Sequence, residues 1–303
     1  MAKVIIAIHG LGNKPPKKQL EKWGKMAIEE GIRQQKLKIK LPEFSLVYWA
    51  DLLYDKPQTI EEKDKNSPYY LDEIYTKAPK NYKVEPLETR QKILDLFKAL
   101  VYKIFLKKDF KLRYAFVSQK LLHKYFHELE VYFTGDTEHP ASIDHEIKQK
   151  ITQRLIDELN KHRKDDVMLI AHSMGTIIAF DVLSFMIKDI KIDTFITMGA
   201  PLGAPFVISR IAAHAKQKYG HITLQTPETV MKNWYNFSDI RDKIALDYKL
   251  ADDFAPNSYG VKVIDQLVIN NYVMNGVANP HKSFGYLRTP EFIKVLKDFI
   301  GRR

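Results

Sequence analysis

The feature that most constrains the fold is an apolar run that turns abruptly into a helix. Residues 166–171 (DVMLIA) are short, apolar and without helical periodicity, which is typical of a strand buried on both faces of a parallel sheet. The tight turn Ser173-Met-Gly175 follows, and a helical pattern begins directly after it. A strand that leads into a helix in this way indicates one βα unit of a sheet covered by helices.

The same alternation recurs along most of the chain. Strands and helices are predicted at 3–9, 17–31, 44–49, 143–162, 192–198, 206–219, 234–237, 261–269 and 290–299. With 303 residues and 45% apolar side chains, the chain can bury a large core. We therefore predict one α/β domain over residues 1–303, a doubly wound and mostly parallel sheet.

The alternation stops between residues 51 and 140, which we interpret as a basic helical insertion in the domain. Residues 87–130 contain ten Lys or Arg against five Asp or Glu, on helices with an apolar stripe. Such helices pack on the main domain, cover a substrate site as a lid, or make peripheral contact with an anionic membrane. The sequence leaves these alternatives open.

Composition excludes several classes of protein. The absence of cysteine excludes disulfides, thiolate metal sites and a cysteine nucleophile. The net charge of +11 is diffuse outside the insertion and accompanies no nucleic-acid-binding motif, so we expect no nucleic-acid partner. The first residues lack a secretory signal pattern, and no apolar run approaches the roughly 20 residues of a spanning helix. A cytoplasmic protein is expected.

Ser173 is the candidate nucleophile. A strand that turns sharply into a helix holds its central residue in a strained conformation and needs small neighbours, here Ala171 and Gly175. This geometry exposes the serine hydroxyl and places the Met174 amide at a helix N-terminus, where it can donate to an oxyanion. The glycine-containing loop after the first strand offers the Leu11 amide as a second donor.

The base and the acid are expected after the nucleophile, in the order serine, acid, histidine. His281 lies in a loop between the last strand and the closing helix, so we favour it as the base over His214, which lies in a helical pattern. His221 precedes the acid candidates. The acid should follow the strand 234–237, where Asp242 is favoured, Asp239 is the alternative, and Asp247 is more distant.

These residues lie in blocks that resemble bacterial lipase-like and esterase-like α/β hydrolases. The blocks are HGLG (9–12), AHSMGTIIAFD (171–181), MGAPLG (198–203), WYNFSDIRDKIA (234–245) and HKSFGYL (281–287). The resemblance implies an α/β-hydrolase fold, and in such proteins the acid commonly stands where Asp242 does. It leaves out the insertion and does not identify the substrate.

The sequence thus predicts a serine hydrolase that cleaves small-molecule or lipid carboxylic esters through an acyl-serine. An acyltransferase, thioesterase or amidase would use the same residues. A hydrolase fold that only binds its ligand is the remaining alternative. We expect no cofactor and no metal.

Overall fold

A six-stranded parallel sheet forms the centre of the protein. The structure is a computed structural model that describes residues 1–80, 82, 142–220, 222, 224–245 and 247–302. The strands are β1 (Lys3–Ile8), β2 (Glu43–Val47), β3 (Asp166–His172), β4 (Ile192–Met198), β5 (Val230–Ser238) and β6 (Val263–Leu267). They are hydrogen-bonded in the order β2-β1-β3-β4-β5-β6, with every pair parallel.

Helices cover both faces of this sheet. They are α1 (Lys17–Gln34), α2 (Ser142–Lys161), α3 (Met174–Asp181), α4 (Pro205–Tyr219), α5 (Ser283–Tyr286) and α6 (Pro290–Gly301). A short hairpin, β7 (Val273–Met274) and β8 (Val277–Ala278), precedes α5. Because a parallel strand needs a crossover to return to the same edge, this alternation produces a doubly wound sheet, as predicted.

The core consists of an apolar cluster on each face of the sheet. Along β1, Ile5 belongs to the cluster under α1 and α6, whereas Val4 and Ile6 belong to the cluster under α2, α3 and α4. This alternation follows from the pleat, which points successive side chains to opposite faces. Strands buried on both faces explain why the sequence showed continuous apolar runs.

Several predicted boundaries were wrong, and for two of them the structure shows the physical reason. Helix α1 ends at Gln34 rather than near Gly31, because Gly31 serves a close helix contact and not a helix end: a Cβ there would lie 2.7 Å from Ile293. Strand β5 begins at Val230 rather than Trp234, since Val230 already pairs with Ile192 of β4.

The insertion predicted at residues 51–140 lies largely outside the described residues, as do the basic helices of 87–130. One turn of 3₁₀ helix, Ala50–Leu52, leads into its described beginning, 51–80, which contains an isolated bridge between Thr59 and Tyr70. Across the part of the chain that the structure describes, no helix combines the length and apolarity needed to span a membrane. The extent of the insertion, its lid role and its membrane contact stay predictions.

Candidate active site

Ser173 lies in a strained turn between β3 and α3. Its backbone angles are φ 54° and ψ −128°, a conformation that is rare outside glycine. Gly175 makes this turn sterically accessible, because a Cβ there would lie 2.7 Å from the carbonyl oxygen of His9. The turn therefore brings Ser173 against β1, at the carboxyl edge of the sheet.

Ser173, His281 and Asp242 form one hydrogen-bonded array. The distance from Ser173 Oγ to His281 Nε2 is 3.0 Å, and His281 Nδ1 lies 2.9 and 2.8 Å from the Asp242 Oδ1 and Oδ2 atoms. A carboxylate accepts from the Nδ1 hydrogen, so Nε2 carries no hydrogen in this tautomer and accepts from the hydroxyl. This is the geometry required of a nucleophile, its base and an orienting acid.

Two further donors hold the Asp242 carboxylate. Tyr286 donates to Oδ2 at 2.8 Å, and the backbone amide of Ile244 donates to Oδ1 at 2.9 Å. Burial, followed by the nearby Asp242 charge, raises the pKa of Tyr286 well above its usual value, so the phenol keeps its proton. Tyr286 was not predicted from the sequence. Tyr286 lies in the HKSFGYL block that resembles α/β hydrolases, but this block indicates no role for the tyrosine.

Gly199, the residue after β4, makes room for the carboxylate and the imidazole. Its φ is 54°, and a Cβ there would lie 2.7 Å from Asp242 Oδ2 and 3.1 Å from His281 Nδ1. Glycine is thus required both for the conformation and for the space.

The loop that carries His281 is held from two sides. His172 Nε2 donates to the His281 carbonyl oxygen at 2.6 Å, and Glu73 accepts from Asn279 and Lys282, on either side of His281. Burial, and then the neighbouring His281, lower the pKa of His172 well below its usual value. A neutral His172 is therefore part of the site. Neither His172 nor Glu73 was predicted from the sequence.

The two predicted oxyanion donors are next to Ser173 or to Gly10, the residue that approaches it most closely. Within the described residues, the Leu11 and Met174 amides donate to no other group, and Met174 is the first residue of α3. Gly10 lies so close to Ser173 that a Cβ would be 2.6 Å from the serine Cβ. The Leu11 and Met174 amides therefore stay the predicted donors to an oxyanion.

His9 fixes the peptide group that carries the Leu11 amide. The Trp49 amide donates to His9 Nε2 at 2.9 Å, so the proton is on Nδ1, which donates to the Gly10 carbonyl oxygen at 2.7 Å. Burial, and then the charge of Lys14, lower the pKa of His9 well below its usual value. Because the Gly10 carbonyl and the Leu11 amide belong to one planar peptide, His9 also orients that amide.

Asp239, the alternative acid, makes different contacts from those of Asp242. Its buried carboxylate accepts from the Arg241 guanidinium and, at 2.7 Å, from the backbone amide of Asn270. Asp242, by contrast, contacts His281.

The alternative base His214 stacks on Phe185 with ring centroids 4.3 Å apart, and His221 lies outside the described residues. Among the described residues, no group of His, Asp or Glu side chains could hold a metal ion.

A cavity of about 390 Å³ opens beside Ser173. Most of its polar lining residues, which include Lys14, Glu73, Lys243 and Lys282, belong to loops at the carboxyl edge of the sheet. This volume is within the range of small-molecule sites.

The comparison with known families gives one match. Residues 146–237 match the family model of lecithin:cholesterol acyltransferase, an α/β-hydrolase-like family, over less than a third of the chain. The matched segment runs from α2 to β5 and includes Ser173, but neither Asp242 nor His281. A comparison with curated proteins finds no match.

This match and the parallel sheet confirm the predicted α/β-hydrolase fold. They support a protein similar to lipid acyltransferases and esterases of the serine-hydrolase type. They do not point specifically to bacterial lipases or esterases, so that narrower resemblance stays a prediction.

Proposed function

We propose that the protein is a serine hydrolase that cleaves carboxylic esters through an acyl-enzyme on Ser173. The observation that carries this proposal is the continuous array Ser173–His281–Asp242, with 3.0 Å between Ser173 Oγ and His281 Nε2. The array begins at a strained, buried serine and ends at a buried carboxylate. Strain and burial of this kind are retained where chemistry needs them.

The roles follow from the hydrogen bonds. His281 Nε2 takes the proton of the Ser173 hydroxyl as Oγ attacks the ester carbonyl carbon, and Asp242 stabilises the imidazolium that forms. The tetrahedral intermediate then collapses, the bond to the alcohol oxygen breaks, and His281 returns the proton to the leaving alcohol. Water, deprotonated by His281, attacks the acyl-serine in the second half and releases the acid and the free hydroxyl.

The negative oxygen of the tetrahedral intermediate needs donors that are already in place. The Leu11 and Met174 amides fill this role in our proposal, and the bond from His9 to the Gly10 carbonyl supports the orientation of the first of them. A neutral His9 also adds no positive charge near His281, where such a charge would oppose protonation of the base. Each preoriented donor of this kind is worth roughly 3 to 4 kcal/mol of transition-state stabilisation.

Acyl transfer is the second candidate, and the family match favours it. Residues 146–237 are similar to a family whose name describes an acyltransferase. The acyl-serine would form in the same way, but the hydroxyl of an alcohol would replace water as the attacking group. A lipid alcohol or another alcohol would then be a second substrate.

Steady-state hydrolysis of p-nitrophenyl esters, with and without an added alcohol, tests both candidates. We expect hydrolysis by the wild type and a loss of kcat on the order of a millionfold in Ser173→Ala. An ester product made from the added alcohol faster than free acid would establish transfer. Hydrolysis that persists in Ser173→Ala would contradict the proposal for both reactions.

A further inference from the structure

The cavity beside Ser173 continues below the carboxyl edge of the sheet, on the face that α1 covers. Its mouth is lined by polar loop residues, whereas its inner part is lined by apolar side chains of β1, β2, β3, α1 and α5. No charged side chain of the described chain lines this inner part. The cavity therefore combines a polar opening with an apolar interior.

Three adjacent strands form the floor of the inner part. Leu46 of β2 and Ile170 of β3 are both in register with Ala7 of β1, so the three side chains lie in one row on the same face. Ala7 is the smallest of them and stands in the middle of the row. A larger residue at this position would fill the space that Ala7 leaves.

Helix α1 forms the roof. Leu20 and Gly24 are four residues apart, so they lie on the same side of the helix, and both line the cavity. A Cβ at Gly24 would lie 3.4 Å from the Phe44 ring, its nearest neighbour, so a larger side chain here has room only in the cavity. Gly24 on the helix and Ala7 on the sheet thus both leave space in the cavity, because their side chains are absent or small.

Phe44 limits the depth of the inner part. It is paired with Ile5, and Val4 to Ile8 run in register with Val167 to Ala171 of β3, so Phe44 lies level with Met168, five residues before Ser173. At about 3.3 Å per residue, its backbone lies about 16 Å below the nucleophile. A slender chain attached at Ser173 can extend over much of this depth.

We infer that this inner cavity is the binding site for the acyl chain of the substrate, an unbranched aliphatic chain. The inference rests on the proposed acyl-enzyme at Ser173, which fixes one end of the chain at the mouth. The apolar walls exclude a polar alcohol or head group, which the polar mouth suits instead. The slot between Ala7 and Gly24 favours a linear chain over a branched or aromatic one.

The chain-length profile of kcat/KM, measured with p-nitrophenyl esters from acetate to palmitate, tests this assignment. Gly24→Leu and Ala7→Leu narrow the cavity from opposite walls, so each lowers the ratio of octanoate to acetate by at least about tenfold, the low end of what one methylene in an apolar pocket contributes. Phe44→Leu enlarges the far end and shifts the preference toward longer esters. Lys22→Leu, on the exposed side of α1, is the matched control and keeps the wild-type profile.

Labelling with a small alkyl fluorophosphonate separates this inference from the proposed function. If the variants fold, their Ser173 is labelled as in the wild type, and the three profiles equal that of Lys22→Leu, the acyl site is wrong while the nucleophile stands. If either Gly24→Leu or Ala7→Leu fails to fold, the other variant and Phe44→Leu still test the acyl site. If the folded wild type is neither labelled nor active, the proposed function fails and the acyl site fails with it.

Discussion

At the scale of single residues, Tyr286 extends the array beyond Asp242. Its hydroxyl donates to Asp242 Oδ2 at 2.8 Å and accepts from the Asp239 amide at 3.1 Å. Because a hydrogen bond to a charged group contributes about 1.5 to 3 kcal/mol, Tyr286→Phe should lower kcat by roughly ten- to a hundredfold with KM unchanged. Steady-state kinetics on a p-nitrophenyl ester measures both constants.

Tyr272→Phe is the matched control for this prediction. Tyr272 is also buried, and its hydroxyl donates to the Ile74 carbonyl oxygen at 2.5 Å, away from Asp242. It should lose comparable stability and keep kcat. Equal kcat values for the two variants would show that Tyr286 serves only the packing of α5.

Steady-state kinetics and thermal melting distinguish the two candidate acids, Asp242 and Asp239. Asp242→Asn should lower kcat on the order of 10⁴-fold, since an amide cannot stabilise the imidazolium or enforce the imidazole tautomer. Asp239→Asn should lower the melting temperature, because Arg241 loses its carboxylate partner, and leave kcat of the folded protein within severalfold of the wild type. The reverse result would make Asp239 the acid.

Residue identity was predictable where local sequence limits the geometry. Ser173 has small neighbours on a strand-to-helix turn, and His281 is a histidine in a loop after the last strand of the sheet. His9, His172 and Tyr286 were not given roles, because each acts through a contact with a backbone group or carboxylate that only the folded chain supplies. His172 and His281, for example, are 109 positions apart in the chain.

At the scale of elements, the ends of the strands determine the site. Strand β4 ends at Met198, and the next residue is Gly199, where a Cβ would collide with the Asp242 carboxylate at 2.7 Å. Gly199→Ala should therefore lower kcat/KM by about a hundredfold, the usual effect of displacing a reacting group by about 1 Å. Kinetics and thermal melting together measure the effect.

Gly220→Ala provides the control for backbone strain. Gly220 also has a positive φ, 78°, but a Cβ there would meet nothing within 4 Å. The alanine should cost roughly 1 to 2 kcal/mol of stability and leave kcat/KM unchanged. If both alanines reduce activity equally, the close approach to Asp242 is not what makes Gly199 necessary.

Element type was predictable for the buried strands, and element ends were less so. Strand β4 was predicted at its observed bounds, and its run is followed directly by the turn residues Gly199 and Pro201. The end of α1 was missed because a glycine has the same local signature at a helix end and at a helix contact. Gly31 is the second case, since it touches Ile293 of α6, far away in the sequence.

At the scale of the whole molecule, two buried histidines couple stability to pH. Burial lowers the pKa of His9 and His172 well below 6.5, so both are neutral when folded, whereas in the unfolded chain they gain protons below about pH 6.5. Their contribution to stability is thus fully present above that pH. It is lost as the pH falls toward the folded values, with a slope of up to about 1.4 kcal/mol per pH unit for each histidine.

Urea unfolding at several pH values from 7.5 downward measures this slope. His172→Gln keeps a donor for the His281 carbonyl but does not titrate, so its stability should fall less steeply with pH than that of the wild type. The wild type, measured at the same pH values, is the reference. An identical slope in the two proteins would contradict a neutral, buried His172.

Whole-molecule features were predictable to different degrees. The doubly wound parallel sheet followed from alternating patterns that extend over most of the chain, and the fold confirms it. The insertion at 51–140, its basic helices and a cytoplasmic location depend on surfaces and surroundings that a local pattern does not define. These three stay predictions.

The measurement that tests the central claim most directly is covalent labelling by a fluorophosphonate, followed by identification of the modified residue. We expect one modification on Ser173 in the wild type, and labelling that is lost in Ser173→Ala and strongly slowed in His281→Ala, since His281 activates the hydroxyl. A folded wild-type protein that is not modified, or one modified at another residue, would contradict an active Ser173 and would favour a hydrolase fold that only binds its ligand.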